Sequence, residues 1–132
     1  MNKILWSLIA TLVIVQTIKV LVRLYHQKPI TWQNYIRTGG MPSSHAAVVA
    51  ALTLGVFLTE GIQSPLFAIS IVFAFIVIRD TIGVRRTVGE LTETVKRINK
   101  KRHIHEAPGH TPLEVAVGII AGIIITSIAF VI

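Results

Sequence analysis

Four apolar stretches, residues 4–22, 43–59, 66–84 and 112–132, constrain this chain more than any other feature. A segment that crosses a bilayer must satisfy its own backbone polar groups, and a helix of about 20 apolar residues does so. Residues 4–22 are interrupted only by Ser7, Thr11, Gln16, Thr17 and Lys19. A signal peptide is the competing reading, but it requires a shorter apolar region followed by a small-x-small cleavage site. Leu24-Tyr25-His26-Gln27 offers no such site, so a retained helix is expected, with Lys19 snorkelling towards the interface. The second stretch is short and rich in small residues (Ala46, Ala47, Ala50, Ala51, Gly55), which suits tight packing inside a bundle. The fourth opens on Pro112, a residue favoured at a helix start. Charged residues make up 14% of the chain, against about 25% for a typical soluble domain. The expectation is an all-α integral membrane bundle of about four transmembrane helices, forming a single domain over residues 1–132 without internal repeats. With no cysteine, the chain has neither a disulfide framework nor a thiolate metal site.

Two polar, basic loops join these spans, over residues 23–41 and 85–109, and a tight turn lies at 60–65. Trp32 and Tyr35 in the first loop suit the membrane interface. In the second, Val88, Leu91, Val95 and Ile98 recur at helical spacing, which predicts a short amphipathic helix on the surface over 88–99. With four spans, both basic loops fall on one side, and the termini and the 60–65 turn on the other. The loops hold Arg23, Lys28, Arg37, Arg85, Arg86, Lys96, Arg97, Lys100, Lys101 and Arg102; the opposite side holds Lys3 and the amino terminus. The positive-inside rule then places the loops in the cytoplasm of a multi-pass cell-membrane protein. The net charge of +7 points to the lipid bilayer's anionic headgroups or to phosphate substrates as partners, and not to nucleic acid.

The residues capable of chemistry all fall at that basic side. Gly39-Gly40-Met41-Pro42-Ser43-Ser44-His45 joins a loop to a helix, with glycines for close backbone approach and a proline expected to set φ for the first helical turn. Free N–H groups at such a helix start receive anions, so this stretch reads as half of a phosphate site. His110 and Glu114 stand at i and i+4 of a starting helix and therefore share a face. A carboxylate that accepts from one imidazole nitrogen fixes the tautomer and frees the other nitrogen. The bland alternative is a Glu answering the helix dipole beside an unremarkable His. Arg85 and Arg86 offer guanidinium forks for phosphate oxygens, with Asp80 to hold one of them, while Arg79 reads as an interfacial anchor. His103, His105 and His110 could ligate zinc, but Lys100-Lys101-Arg102 beside them repels a cation, so no metal is expected.

These three motifs, Gly39–His45, Asp80-Thr-Ile-Gly-Val-Arg-Arg86 and Gly109-His-Thr-Pro-Leu-Glu114, resemble the divergent branch of the type 2 phosphatidic acid phosphatase family, also described as acid phosphatase/vanadium-dependent haloperoxidase-related. The resemblance covers nearly the whole chain. Pro42-Ser43-Ser44-His45 is similar to the parent family's Pro-Ser-Gly-His motif, with Ser44 in place of Gly. His110-x3-Glu114 is similar to the end of its Ser-Arg-x5-His-x3-Asp motif, with Glu for Asp and with Ile104 where the arginine would stand. Arg85 or Arg86 would then supply that guanidinium. The resemblance implies a lipid phosphate or pyrophosphate phosphatase that uses no metal and no other cofactor. His110 would attack phosphorus, Glu114 would orient it, and His45 would protonate the leaving oxygen. Arg37, Ser43, Ser44, Arg85, Arg86 and the backbone at Gly40 would bind phosphate, supported by Asp80 and Lys28. Two other classes share these features: a non-hydrolytic phospholipid- or phosphate-binding transporter or flippase, and a structural membrane subunit with a degenerate site. So small a bundle is also compatible with a homodimer.

Overall fold

The computed structural model describes residues 2–27, 40–98 and 109–132, with Arg86 described by its backbone alone. Five helices run through these residues: α1 (Lys3–Tyr25), α2 (Ser44–Glu60), α3 (Pro65–Ile82), α4 (Val84–Ile98) and α5 (Pro112–Val131). The starts are set by local chemistry. Asn2 caps α1, its side chain accepting from the Leu5 N–H at 3.2 Å. Ser64 caps α3 ahead of Pro65, and Thr111 caps α5 ahead of Pro112. Gly61, at φ +80°, ends α2 in a conformation that L side chains resist.

α1, α3 and α5 are long and apolar enough to cross a membrane, and α2 is a shorter apolar helix of 17 residues. α2 is the hub: it packs against α1, α3 and α5, while α1 also packs on α5. The bundle is inside-out relative to a soluble one. Its interior holds Ser7, Thr11, Val15 and Lys19 from α1, small residues from α2, and Gly118, Gly122 and Thr126 from α5. Large apolar side chains such as Leu12, Phe73 and Ile124 face outward. Lipid is as apolar as Leu, so packing in such a bundle depends on close approach rather than on the hydrophobic effect. α5 approaches α2 closely enough that a Cβ at Gly118 would collide with the Ser43 carbonyl, and one at Gly122 with the Ala47 carbonyl.

The order of ends is fixed by contacts. The Lys3 ammonium donates to the Phe130 carbonyl, Ile4 packs against Gly55 in the second half of α2, and Phe57 meets Phe67, so both termini and the 60–65 turn share one end. At the other end Lys19 reaches Ser44, Ser43 bonds to Glu114, and His110 bonds to Thr81. The two basic loops therefore leave from one end of the bundle, as the spacing of the apolar stretches predicts. Three expectations need correction. Lys19 does not snorkel; it is 7% exposed and turned into the bundle, because it continues the inward stripe of Ser7, Thr11 and Val15. Pro42 lies ahead of the first helical turn, since Ser43 and not Pro42 caps α2. The amphipathic helix begins at Val84, directly after α3 and its C-cap Gly83, and not at residue 88.

Candidate functional site

The polar end of the bundle is assembled from the ends of four helices. Ser43 anchors it. Its side chain caps α2 by accepting from the Ala46 N–H at 3.4 Å, and its own N–H donates to the Glu114 carbonyl at 3.0 Å. That backbone bond brings the starts of α2 and α5 to the same depth. Ser44 and His45 thus occupy the first positions of α2, whose leading N–H groups lie outside the helix's own ladder. Gly40 stands just outside at φ +85°, exposed, where a glycine lets the chain turn into the Met41–Ser43 approach.

Glu114 reconciles the two readings of its sequence position. Its carboxylate accepts from the Thr111 N–H at 3.1 Å while Thr111 Oγ1 accepts from the Glu114 N–H, a capping box that starts α5. The same Oε2 atom lies 3.0 Å from His110 Nδ1. His110 is 1% exposed and is pinned again by its N–H, which donates to the Thr81 carbonyl at 3.3 Å. A carboxylate at Nδ1 favours the tautomer with the proton there and a lone pair on Nε2. Among the described residues, His110 Nε2 has no hydrogen-bond partner although it is buried. Burial pushes the His110 pKa below its usual 6.5; the hydrogen bond to Glu114 works in the opposite direction, and Lys19 and Arg85 add to the lowering. The imidazole is held neutral and therefore nucleophilic.

His45 faces this group, with ring centroids 6.4 Å apart. Its Nδ1 is also buried and without a partner among the described residues. Two histidines with an unpaired nitrogen each, a few ångströms apart, are uncommon in a folded interior, where buried polar atoms are usually paired. Arg85 Nε bonds Asp80 Oδ2 at 2.8 Å with both side chains partly exposed, so the carboxylate holds this guanidinium at the end of α3. The structure thus gathers His45, Ser44, Ser43, His110, Glu114, Asp80 and Arg85 at one end of the bundle. Arg79 is exposed there. Arg37, Lys28, His103 and His105 lie outside the described residues, as does the Arg86 side chain. Among the described residues no group of three or more His, Asp or Glu side chains could hold a metal ion.

Lys19 was missed by reasoning from the sequence. Its Nζ donates to Ser44 Oγ at 3.0 Å, and its charge acts on both histidines. The signal was present: an ionisable residue inside an apolar span marks a functional site more often than an anchor, and Ser7, Thr11 and Lys19 fall on one i, i+4 stripe. The assembled site has a buried ammonium, an arginine, the leading amides of α2, a neutral imidazole whose Nε2 lone pair is buried and, among the described residues, unpartnered, and a second imidazole opposite. It suits a doubly charged oxyanion that undergoes attack and protonation.

Residues 1–125 match the family described as "Divergent PAP2 family". The chain is similar to the "Uncharacterized membrane protein YuiD" of Bacillus subtilis (strain 168), 35% identical over 142 residues that cover 92% of this chain and 90% of that protein. No solved structure matches the chain.

Proposed function

Since the chain belongs to the divergent PAP2 family, we propose that this phosphatase-related membrane protein is itself a lipid phosphate or pyrophosphate phosphatase working through a phosphohistidine. The observation that carries the reading is His110: Nδ1 is held by Glu114, and Nε2 is buried and unpartnered among the described residues, facing His45. Lys19, Arg85 and the leading amides of α2 bind the phosphate oxygens, joined by Arg86 of α4 or by Arg37. The Nε2 lone pair attacks phosphorus in line, and the bond from phosphorus to the ester or anhydride oxygen breaks. His45 gives its proton to that departing oxygen. Water then attacks the phosphohistidine, the P–N bond breaks, and His45 takes a proton from the water. Fixed positive charge around the phosphoryl oxygens supplies the largest part of the acceleration, and acid–base catalysis by His45 contributes about 10²–10⁴-fold. The excess of Lys and Arg in the two loops supports a site facing the cytoplasm across the cell membrane.

The test is phosphate release from a panel of lipid phosphates by the purified protein in vesicles. Wild type releases phosphate and orthovanadate inhibits it. His110→Ala does not release phosphate, and a radiolabelled substrate leaves an acid-labile, alkali-stable label on wild type only. Full activity in a folded His110→Ala variant ends the nucleophile assignment. Lipid movement between leaflets without phosphate release replaces the phosphatase with a transporter.

A further inference from the structure

Below the polar site, a cleft of about 460 Å³ runs between α2, α3 and α5. It exists because α3 leans on α2 and touches α5 only lightly. Its walls are apolar, and the one hydroxyl among them, Thr53 Oγ1, is already bonded to the Val49 and Ser70 carbonyls. Among the described residues no polar group is left there to bind a headgroup or an ion. The cleft is also aligned with the site. Ile78 in its wall lies one turn before Thr81, the residue whose carbonyl holds the His110 N–H. Ala50 and Ile119 come five residues after His45 and Glu114, about 8 Å deeper along their helices. At the far end Phe57 and Phe67 close on each other with ring centroids 5.5 Å apart. Phe57 is 12 residues beyond His45, about 18 Å along α2.

We propose that this cleft takes one hydrocarbon tail of the same lipid whose phosphate is held between Lys19, His45 and His110, and that the Phe57–Phe67 pair gauges tail length. This rests on the phosphate site proposed above and adds to it the class of substrate: a lipid with a tail long enough to fill the cleft. The occupant follows from continuity. A phosphate at the histidines places the rest of the molecule within one to two helical turns of Ala50, and the apolar walls match only hydrocarbon. Selection is by shape and not by hydrophobic gain, because the tail arrives from lipid that is equally apolar. The discriminating positions are therefore the small residue Ala50, which leaves room, and the ring pair, which ends it.

Two measurements in vesicles test this. The first is kcat/KM for phosphate release over a series of lipid phosphates of increasing tail length. Wild type gains with length and then levels off. Ala50→Phe, which fills the upper cleft, loses about tenfold on long tails and little on short ones, by the ordinary cost of overpacking. Phe57→Ala moves the plateau to longer tails. The second measurement does not require hydrolysis: a lipid phosphate with a photoreactive group at its tail end is crosslinked to the His110→Ala variant. Label at Phe57 and Phe67, absent with a headgroup-free diacylglycerol probe, supports the tail site. Label spread over the outer faces of α1 and α3, equal label from the neutral probe, or an equal loss at every tail length in Ala50→Phe overturns it. Specific label without phosphate release by wild type keeps the tail site and removes the phosphatase reading instead.

Discussion

At Glu114 one carboxylate both starts a helix and holds a histidine, and the two roles can be separated. Gln keeps a capping side chain at this position but removes the charge. Glu114→Gln is expected to leave α5 in place and to lower phosphate release by up to about 10⁴-fold, the loss that follows when the orienting carboxylate of a catalytic triad is neutralised. The pH dependence carries a sign. His110 titrates below 6.5 because it is buried, and Glu114 holds that value up. The acidic limb of the rate profile set by His110 therefore lies below pH 6.5, and moves lower still in Glu114→Gln. An upward shift would contradict the assignment. Folding follows the same linkage: the neutral imidazole stabilises the fold above its unfolded value and is lost as pH falls through the lowered one. Lys19→Met makes the complementary case. The variant keeps the length of the side chain and removes a buried charge, so thermal unfolding in detergent should be unchanged or later. Phosphate binding should weaken by about 10- to 100-fold, as expected for a lost charged hydrogen bond. Activity lost together with the fold would make Lys19 structural.

At the scale of elements, the start of α2 and the start of α5 share one depth because Gly118 and Gly122 let α5 approach the α2 backbone. Gly118→Ala should cost about 1–3 kcal/mol, because the colliding atoms are carbonyls that cannot rotate aside. Separating the helices also breaks the Ser43 to Glu114 bond, so unfolding temperature and phosphate release should fall together, unlike Lys19→Met. This contrast explains what was legible in the sequence. The apolar stretches, Pro112, and the His110–Glu114 pair were read from local spacing, and local signals set helix ends and i, i+4 neighbours. The inward face of each helix was not legible in the same way. In lipid both faces of a span are apolar, so the amphipathic period that orients a soluble helix disappears. What remains is a faint stripe of small and polar residues, and Lys19 lies on it. Ser43, expected to bind phosphate, also caps α2 with the same side chain; a Ser before an apolar run fits both roles, and spacing does not choose between them.

At the scale of the whole molecule, orientation depends on whether the loop cations report topology or chemistry. Discounting every cation of the two basic stretches that is assigned to phosphate, namely Lys28, Arg37, Arg85 and Arg86, still leaves Arg23, Lys96, Arg97, Lys100, Lys101 and Arg102 on the side of the site, against Lys3 on the other. The positive-inside bias survives that subtraction, so it does not depend on the catalytic reading. α4 adds to it from the same side. Its exposed Val84, Val88, Leu91 and Ile98 form an apolar stripe, with Lys96 and Arg97 in its last turn, the pattern of a helix lying at an anionic membrane surface. The chain has no cysteine, so single cysteines report its sides without background. Gln63→Cys, in the turn at the far end, should react with a membrane-impermeant maleimide on intact cells. Arg97→Cys, on α4, should react only after the membrane is opened. The reverse pattern would place the site outside, where its substrate would be a lipid of the outer leaflet and its released phosphate would be lost to the medium. A cytoplasmic orientation would return released phosphate to the cell, and it would put α4 and His110 together on the side where anionic headgroups attract a basic helix.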